Sequence, residues 1–141
     1  MSAGDATTPP AIGDRLPAAE IGPFDAQALQ RYAKVSGDDN PLHLDDRLAA
    51  SIGLAAPPVH GMKLLAAFEP LLKAWRGDLV IRRLGGTFVQ PVLRGEKITL
   101  TGRVLRSSPE EVFVRLYAHG ASRAPALIAE ATLRPSSCRI P

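Results

Sequence analysis

One short segment concentrates the side chains able to do acid–base chemistry: Ser36-Gly37-Asp38-Asp39-Asn40-Pro41-Leu42-His43. Its eight residues hold two carboxylates, one amide and one imidazole. Asn40-Pro41 predicts an extended or turn geometry, because the residue before a proline is disfavoured in helices. The chain can then curl until Asp38 and His43 face one point, where a carboxylate can orient an imidazole or share a water with it. The structural alternative is a polar turn whose Asp and Asn side chains only cap backbone groups.

A second feature is the run Pro57-Pro58-Val59-His60-Gly61-Met62, which leads directly into an apolar helical pattern. Gly61 falls in the predicted first turn, where backbone N–H groups lack helical partners. Glycine leaves its N–H open to approach, and the start of a helix favours negative charge. The run therefore predicts an oxyanion site for a polarised carbonyl. The alternative is that Gly61 is only a flexible entry to the helix.

Other catalytic templates are absent from the sequence. It contains no Gly-x-Gly-x-x-Gly and no Gly-x-Ser-x-Gly. His43, His60 and His119 have no cysteine partners and no helical i, i+4 spacing, so we expect no metal site and no cofactor. The single cysteine, Cys138, lies in a Ser/Pro/Arg tail that gives a nucleophile no rigid support.

Composition limits the class of protein. The 141 residues, 45% hydrophobic and 22% charged, are enough for one globular domain. The net charge of +3 is spread along the chain and aromatics are only 5%, which favours a small anionic ligand over nucleic acid. The longest charge-free stretch, 48–62, is 15 residues and too short to span a membrane. With no visible secretory signal and one cysteine, we expect a cytoplasmic protein.

The helical part of the pattern comes first. Residues 1–14 read as a flexible arm. Asp25 is a good N-cap and Gly37 a natural end for a first helix. A short helix is expected near 45–52, followed by a long, mostly apolar helix over 61–75 that should be buried.

The pattern changes to strands after Gly77. Four segments are rich in β-branched and aliphatic residues, with short polar turns between them that indicate antiparallel hairpins. Gly85-Gly86 suggests a bulge or bend in the first of them. The expected segments are 79–92, 97–107, 111–118 and 126–134. The sequence thus predicts an α+β fold, a sheet over a central helix.

The two chemical segments carry a family resemblance. Gly37-Asp38-x-Asn40-Pro41-x-His43, with His60-Gly61-Met62 placed 17 residues after His43, resembles the MaoC-like dehydratases, the R-specific enoyl-CoA hydratase family. The likeness continues through 88–96 and covers about 15–134. It implies one hot-dog domain over 15–135, in which an antiparallel sheet wraps a long central helix, with 136–141 as a tail. It also implies a dimer.

The resemblance implies roles for particular residues. Asp38 and His43 match the catalytic pair, and Gly61 matches the residue whose N–H polarises the thioester carbonyl. The implied reaction is reversible addition of water to a trans-2-enoyl thioester, giving the (R)-3-hydroxyacyl thioester. Coenzyme A or an acyl carrier would enter as part of the substrate.

Further residues are candidates for substrate contact. We expect the substrate-binding residues to be Asn40, Pro41, His60, Met62, Leu65 and Glu69. Glu69 has two interpretations, an acyl-pocket carboxylate or a paired surface residue. Candidate phosphate contacts are Lys63, Arg82, Arg83 and Arg94, each of which has an ordinary solvated charge as its alternative.

Two other functions stay open on the sequence. A hot-dog thioesterase would act on the same substrate class and release a free thiol. The chain is alternatively one subunit of a heterodimeric 3-hydroxyacyl-thioester dehydratase, whose partner is a second hot-dog subunit. The Asp38 and His43 pair favours a catalytic chain, and the resemblance favours a homodimer.

Overall fold

A five-stranded antiparallel sheet dominates the computed structural model, which describes residues 8–136. The strands are β1 (Ala19–Ile21), β2 (Leu79–Phe88), β3 (Ile98–Ser107), β4 (Val112–His119) and β5 (Leu127–Pro135). Their order across the sheet is β1-β3-β4-β5-β2. The predicted α+β class is therefore confirmed, and so are the hairpins β3-β4 and β4-β5. A hairpin between the first two predicted segments is wrong, because β2 pairs with β5 and not with β3.

One face of the sheet forms the core. Buried and partly buried residues alternate strictly along β4, because successive side chains of a strand point to opposite faces. The buried face packs on two consecutive helices, α3 (Gly61–Ala66) and α4 (Phe68–Trp75). Phe68 and Leu72 from α4 are almost completely buried there, together with Leu116 and Leu133 from the sheet.

The central helix differs from the single element predicted over 61–75. It breaks at Ala67 into α3 and α4. Pro70 explains the break, because it has no N–H to donate to the Ala66 carbonyl and its ring crowds that group. Pro70 is then accommodated in the first turn of α4, where a missing N–H is tolerated.

The N-terminal helix α1 (Ala26–Ser36) follows its sequence signals closely. The Asp25 side chain accepts a hydrogen bond from the Ala28 N–H at 2.8 Å. Gly37 ends the helix with φ of +79°, a left-handed conformation that glycine adopts without strain. The short helix expected near 45–52 is present as α2 (Asp46–Ser51), and the Asp45 side chain caps it.

Between α1 and α2 the chain makes one 3₁₀ turn, Pro41–His43, followed after α2 by an irregular stretch up to α3. This stretch ends in the buried residues 57–60. None of the helices within 8–136 is both long and apolar enough to cross a bilayer. The side chains able to do acid–base chemistry, Asp38, His43 and His60, thus lie outside the α-helices and strands.

Candidate active site

The loop after α1 places the Asp38 side chain. The Asp38 N–H donates to Ser36 Oγ at 3.1 Å, and the Asn40 N–H donates to Asp38 Oδ1 at 3.4 Å. The Asn40 side chain in turn accepts from the Leu42 N–H at 3.1 Å and caps the 3₁₀ turn. The capping role considered for this segment is therefore present, and it leaves Asp38 Oδ2 free to face His43.

The His43 ring is fixed by the backbone of the run before α3. Its Nδ1 lies 2.8 Å from the Pro58 carbonyl oxygen, so Nδ1 carries the proton and donates it. In the neutral ring Nε2 is then an unprotonated acceptor. Nε2 lies 4.0 Å from Asp38 Oδ2, with the two side chains 15% and 47% exposed. The structure brings this predicted pair together at the surface end of the site.

His60 is the buried third member of a cluster with Asp38 and His43. It is fully buried, and its Nε2 lies 3.1 Å from the Asp38 carbonyl oxygen. Its ring stacks on His43 with centroids 4.0 Å apart and planes inclined by 24°. Tyr32 also packs on His60, with 4.7 Å between ring centroids. The sequence pattern placed His60 near the site but carried no sign of this stacking.

Burial lowers the pKa of His60, and the neighbouring His43 lowers it further. The Asp38 carbonyl and carboxylate act in the opposite direction but are weaker. His60 is therefore neutral at pH 7, since the unperturbed value of about 6.5 is already below that pH. A neutral ring that donates through Nε2 has an unprotonated Nδ1.

The three side chains include the atoms a metal would need. Ligand atoms of Asp38, His43 and His60 all lie within 4.8 Å of one another. An imidazole binds a metal along the in-plane lone pair of its nitrogen. Two stacked rings direct these lone pairs along nearly parallel planes and not toward a common point. The arrangement therefore fits acid–base chemistry better than chelation.

A cleft of about 500 Å³ opens beside the carboxylate. Asp38 and Gly61 both line it, and Gly61 is the first residue of α3. A Cβ at Gly61 would lie 2.8 Å from Cε1 of Phe88. The residues that line the cleft are Asp38, Pro58, Val59, Gly61, Met62, Leu64, Phe88, Val89, Gln90, Pro91 and Val92. The predicted Met62 lies here, whereas Phe88, Val89 and Gln90 were not singled out as site residues.

Other candidates for substrate contact lie elsewhere. Leu65 is buried in the core. Glu69 is exposed, lies 2.8 Å from Lys73 Nζ in an ion pair, and lines a separate cleft of about 740 Å³ bordered by β2. Pro41 is exposed at the start of the 3₁₀ turn.

The four basic candidates are dispersed. Arg94 forms two hydrogen bonds to the Asp46 carboxylate, at 2.9 and 2.7 Å, which lowers the pKa of Asp46. The Lys63 ammonium lies over the rings of Phe24 and Tyr32, in a separate cleft next to α1. Arg82 and Arg83 are exposed on β2. The structure therefore does not gather these four cations into one phosphate site.

Comparison with known proteins decides the family. The family model described as "MaoC like domain" matches residues 8–115. The chain belongs to the MaoC-like family. It is 35% identical over 79 residues to the (R)-specific enoyl-CoA hydratase of Aeromonas caviae, covering 54% of this chain and 58% of that protein.

A second relative of this MaoC-like chain is the mitochondrial 3-hydroxyacyl-[acyl-carrier-protein] dehydratase of Arabidopsis thaliana. The two are 32% identical over 87 residues, or 62% of this chain and 51% of the relative. The alignments thus span about half the length of these two relatives. The solved (R)-hydratase of A. caviae superimposes with a TM-score of 0.80 at 26% identity, covering 89% of this chain and 96% of that one. The expected hot-dog fold is confirmed.

Proposed function

We propose that this MaoC-like chain catalyses the reversible hydration of trans-2-enoyl thioesters to (R)-3-hydroxyacyl thioesters. The observation that carries the proposal is the 4.0 Å separation between Asp38 Oδ2 and His43 Nε2. This separation is too long for a direct hydrogen bond. It matches two acceptors that share one water at about 2.8 Å from each, with an angle near 90° at the water.

The position of the proton on the His43 ring suits activation of that water. The Pro58 carbonyl keeps the His43 proton on Nδ1, so the free Nε2 can accept a proton from the water. The water oxygen bonds to the β-carbon as its O–H bond breaks, and charge moves to the thioester oxygen as an enolate. A proton then returns from the Asp38 and His43 pair to the α-carbon, which completes the addition with all atoms balanced.

Gly61 is proposed to stabilise the enolate. As the first residue of α3 its N–H lies outside the helical hydrogen-bond ladder, and it shares the cleft with Asp38. The apolar side chains of Met62, Phe88 and Val89 border the same cleft and are exposed, which suits an acyl chain. Loss of one such oxyanion donor costs about 10²–10³ in rate.

The carrier of the acyl group is coenzyme A or an acyl carrier protein. The names of the two relatives include one of each. Because one fold accommodates several chemistries, the residues of the site and not the fold support this reaction. We place the MaoC-like chain as a catalytic subunit, since Asp38 and His43 are both present and oriented.

The test compares wild type with Asp38→Asn on crotonyl-CoA, followed by loss of enoyl thioester absorbance. We expect Asp38→Asn to lose about 10²–10⁴ in kcat, the usual weight of a general acid–base group. Asp39→Asn is the matched control, because Asp39 is the adjacent exposed carboxylate outside the cleft lining. It should keep wild-type kcat.

Three outcomes would contradict the proposal. Equal activity of Asp38→Asn and wild type would contradict a catalytic role for Asp38. Release of free thiol, detected with a chromogenic disulfide, would indicate a thioesterase. Failure of wild type on enoyl thioesters of several lengths, on both coenzyme A and acyl carrier protein, would remove the hydratase assignment.

A further inference from the structure

We propose that His60 is a positioning residue that holds Asp38 and His43 at the distance at which they share a water. It does so through one hydrogen bond to the Asp38 backbone and one ring stacked on His43. This inference rests on the proposed hydratase function. It assigns His60 no contact with the substrate, because its side chain lies fully buried beneath the pair.

The hydrogen bond fixes the loop that carries the carboxylate. A carbonyl oxygen can only accept, so the 3.1 Å contact between His60 Nε2 and the Asp38 carbonyl requires a proton on Nε2. This bond joins residues 22 positions apart in the chain. It therefore ties the loop after α1 to the residue that precedes α3, and with it Asp38 to Gly61.

The stacked ring fixes the other member of the pair. His43 lies between its hydrogen bond to the Pro58 carbonyl and the face of His60, 4.0 Å away. The hydrogen bond restrains His43 within its ring plane, and the stacking restrains the tilt of that plane. Together they hold Nε2 of His43 toward Asp38. Tyr32 also contacts His60, with ring centroids 4.7 Å apart.

The neutral state of His60 favours its stacking on His43, and the hydrogen bond to the Asp38 carbonyl needs only the proton on Nε2. The charged or titratable groups around it are His43, Asp38, Lys63 and the Tyr32 phenol. Burial, His43 and Lys63 all lower the pKa of His60. A neutral His60 leaves its face available to His43 when that ring becomes a cation, whereas a second cation there would repel it.

Two substitutions separate the two contacts. His60→Phe keeps an aromatic ring against His43 but gives the Asp38 carbonyl no donor. His60→Gln keeps an N–H donor for that carbonyl but removes the ring. If His60 only fills space, Phe should be the better replacement, because it retains the buried aromatic volume.

The experiment measures kcat and KM for wild type, His60→Phe, His60→Gln and the control His119→Gln, with thermal unfolding for each. We expect His60→Phe to lose about 10–10² in kcat with KM within about twofold, since small misplacements of reacting groups cost this much. His60→Gln should keep more kcat than His60→Phe. His119→Gln should match wild type, because His119 lies on β4 outside the cluster.

The inference is overturned if His60→Phe keeps wild-type kcat or exceeds His60→Gln. It is also overturned if ¹⁵N spectra of the histidine rings show His60 protonated on Nδ1, or charged near pH 7. These spectra do not depend on turnover. An inactive wild type with a neutral, Nε2-protonated His60 would remove the proposed function and leave the positioning geometry standing.

Discussion

At the scale of the residue, Gly61 is the position at which the proposed mechanism brings the backbone to the substrate. A methyl group added there would lie 2.8–3.0 Å from three atoms of the Phe88 ring. We expect Gly61→Ala to fold but to lose about 10–10² in kcat/KM, because the methyl group narrows the approach to the N–H. Steady-state kinetics on crotonyl-CoA, with thermal unfolding alongside, measures both effects.

The double variant Gly61→Ala/Phe88→Ala shows which contact matters. Removal of the ring relieves its clash with the new methyl group but leaves that group beside the position proposed for the thioester oxygen. We expect the double variant to remain impaired. Recovery to the activity of Phe88→Ala alone would mean that ring displacement, and not access to the N–H, caused the loss.

Part of this site could be predicted from the sequence. Asp38 and His43 are five residues apart with a proline between them, so local geometry brings them close. The contributions of His60 and Phe88 were not predictable in detail. Both residues are distant from Asp38 in the chain. Their ring positions depend on how the loop after α1, α3 and β2 pack together.

At the scale of the element, the paired glycines of β2 have different environments. A Cβ at Gly86 would lie 2.7 Å from the Ile128 carbonyl oxygen and 2.9 Å from Ala129 Cα, both backbone atoms of β5. We expect Gly86→Ala to destabilise the fold by about 1–3 kcal/mol, the usual cost of overpacking. Gly85→Ala is the matched control, because a Cβ there meets nothing within 4 Å. Urea unfolding should separate the two, and equal midpoints would contradict the argument.

The elements themselves were predicted unevenly. The caps of α1 are local signals, and the structure matches them at Asp25 and Gly37. Of the bulge or bend suggested at Gly85-Gly86, the bulge is wrong, because these residues stay in register with β5 and the irregularity lies between Ile81 and Arg83. The three-residue β1 was missed, since so short a strand has no period to detect. It exists because it pairs with β3.

At the scale of the whole molecule, the order of strands depends on contacts that the sequence pattern does not encode. The hairpins β3-β4 and β4-β5 join neighbours in the chain and were expected. The pairing of β2 with β5 was not expected, and it means that the connection from β2 to β3 passes across β5 and β4. It leaves β2, a strand of ten residues, at one edge.

That edge predicts how the molecule assembles. Within residues 8–136 no strand pairs with the outer side of β2, and Val80 and Phe88 are 45% and 47% exposed along it. A long edge with exposed apolar side chains favours pairing with another strand. We expect two copies to associate through β2, which gives a dimer of twice 15.0 kDa. Light scattering after size exclusion measures this mass.

Val80→Lys tests whether β2 is the contact, since an edge lysine opposes strand pairing. Val35→Lys is the control, because Val35 is 87% exposed on α1, away from the edge. We expect only Val80→Lys to shift the mass toward the monomer. Phe88 is the last residue of β2, and its ring lies close to Gly61. A change at the β2 contact should therefore disturb the cleft, and we expect kcat/KM to fall as the dimer dissociates. A monomeric wild type, or a fully active Val80→Lys monomer, would show that the site is complete within one chain.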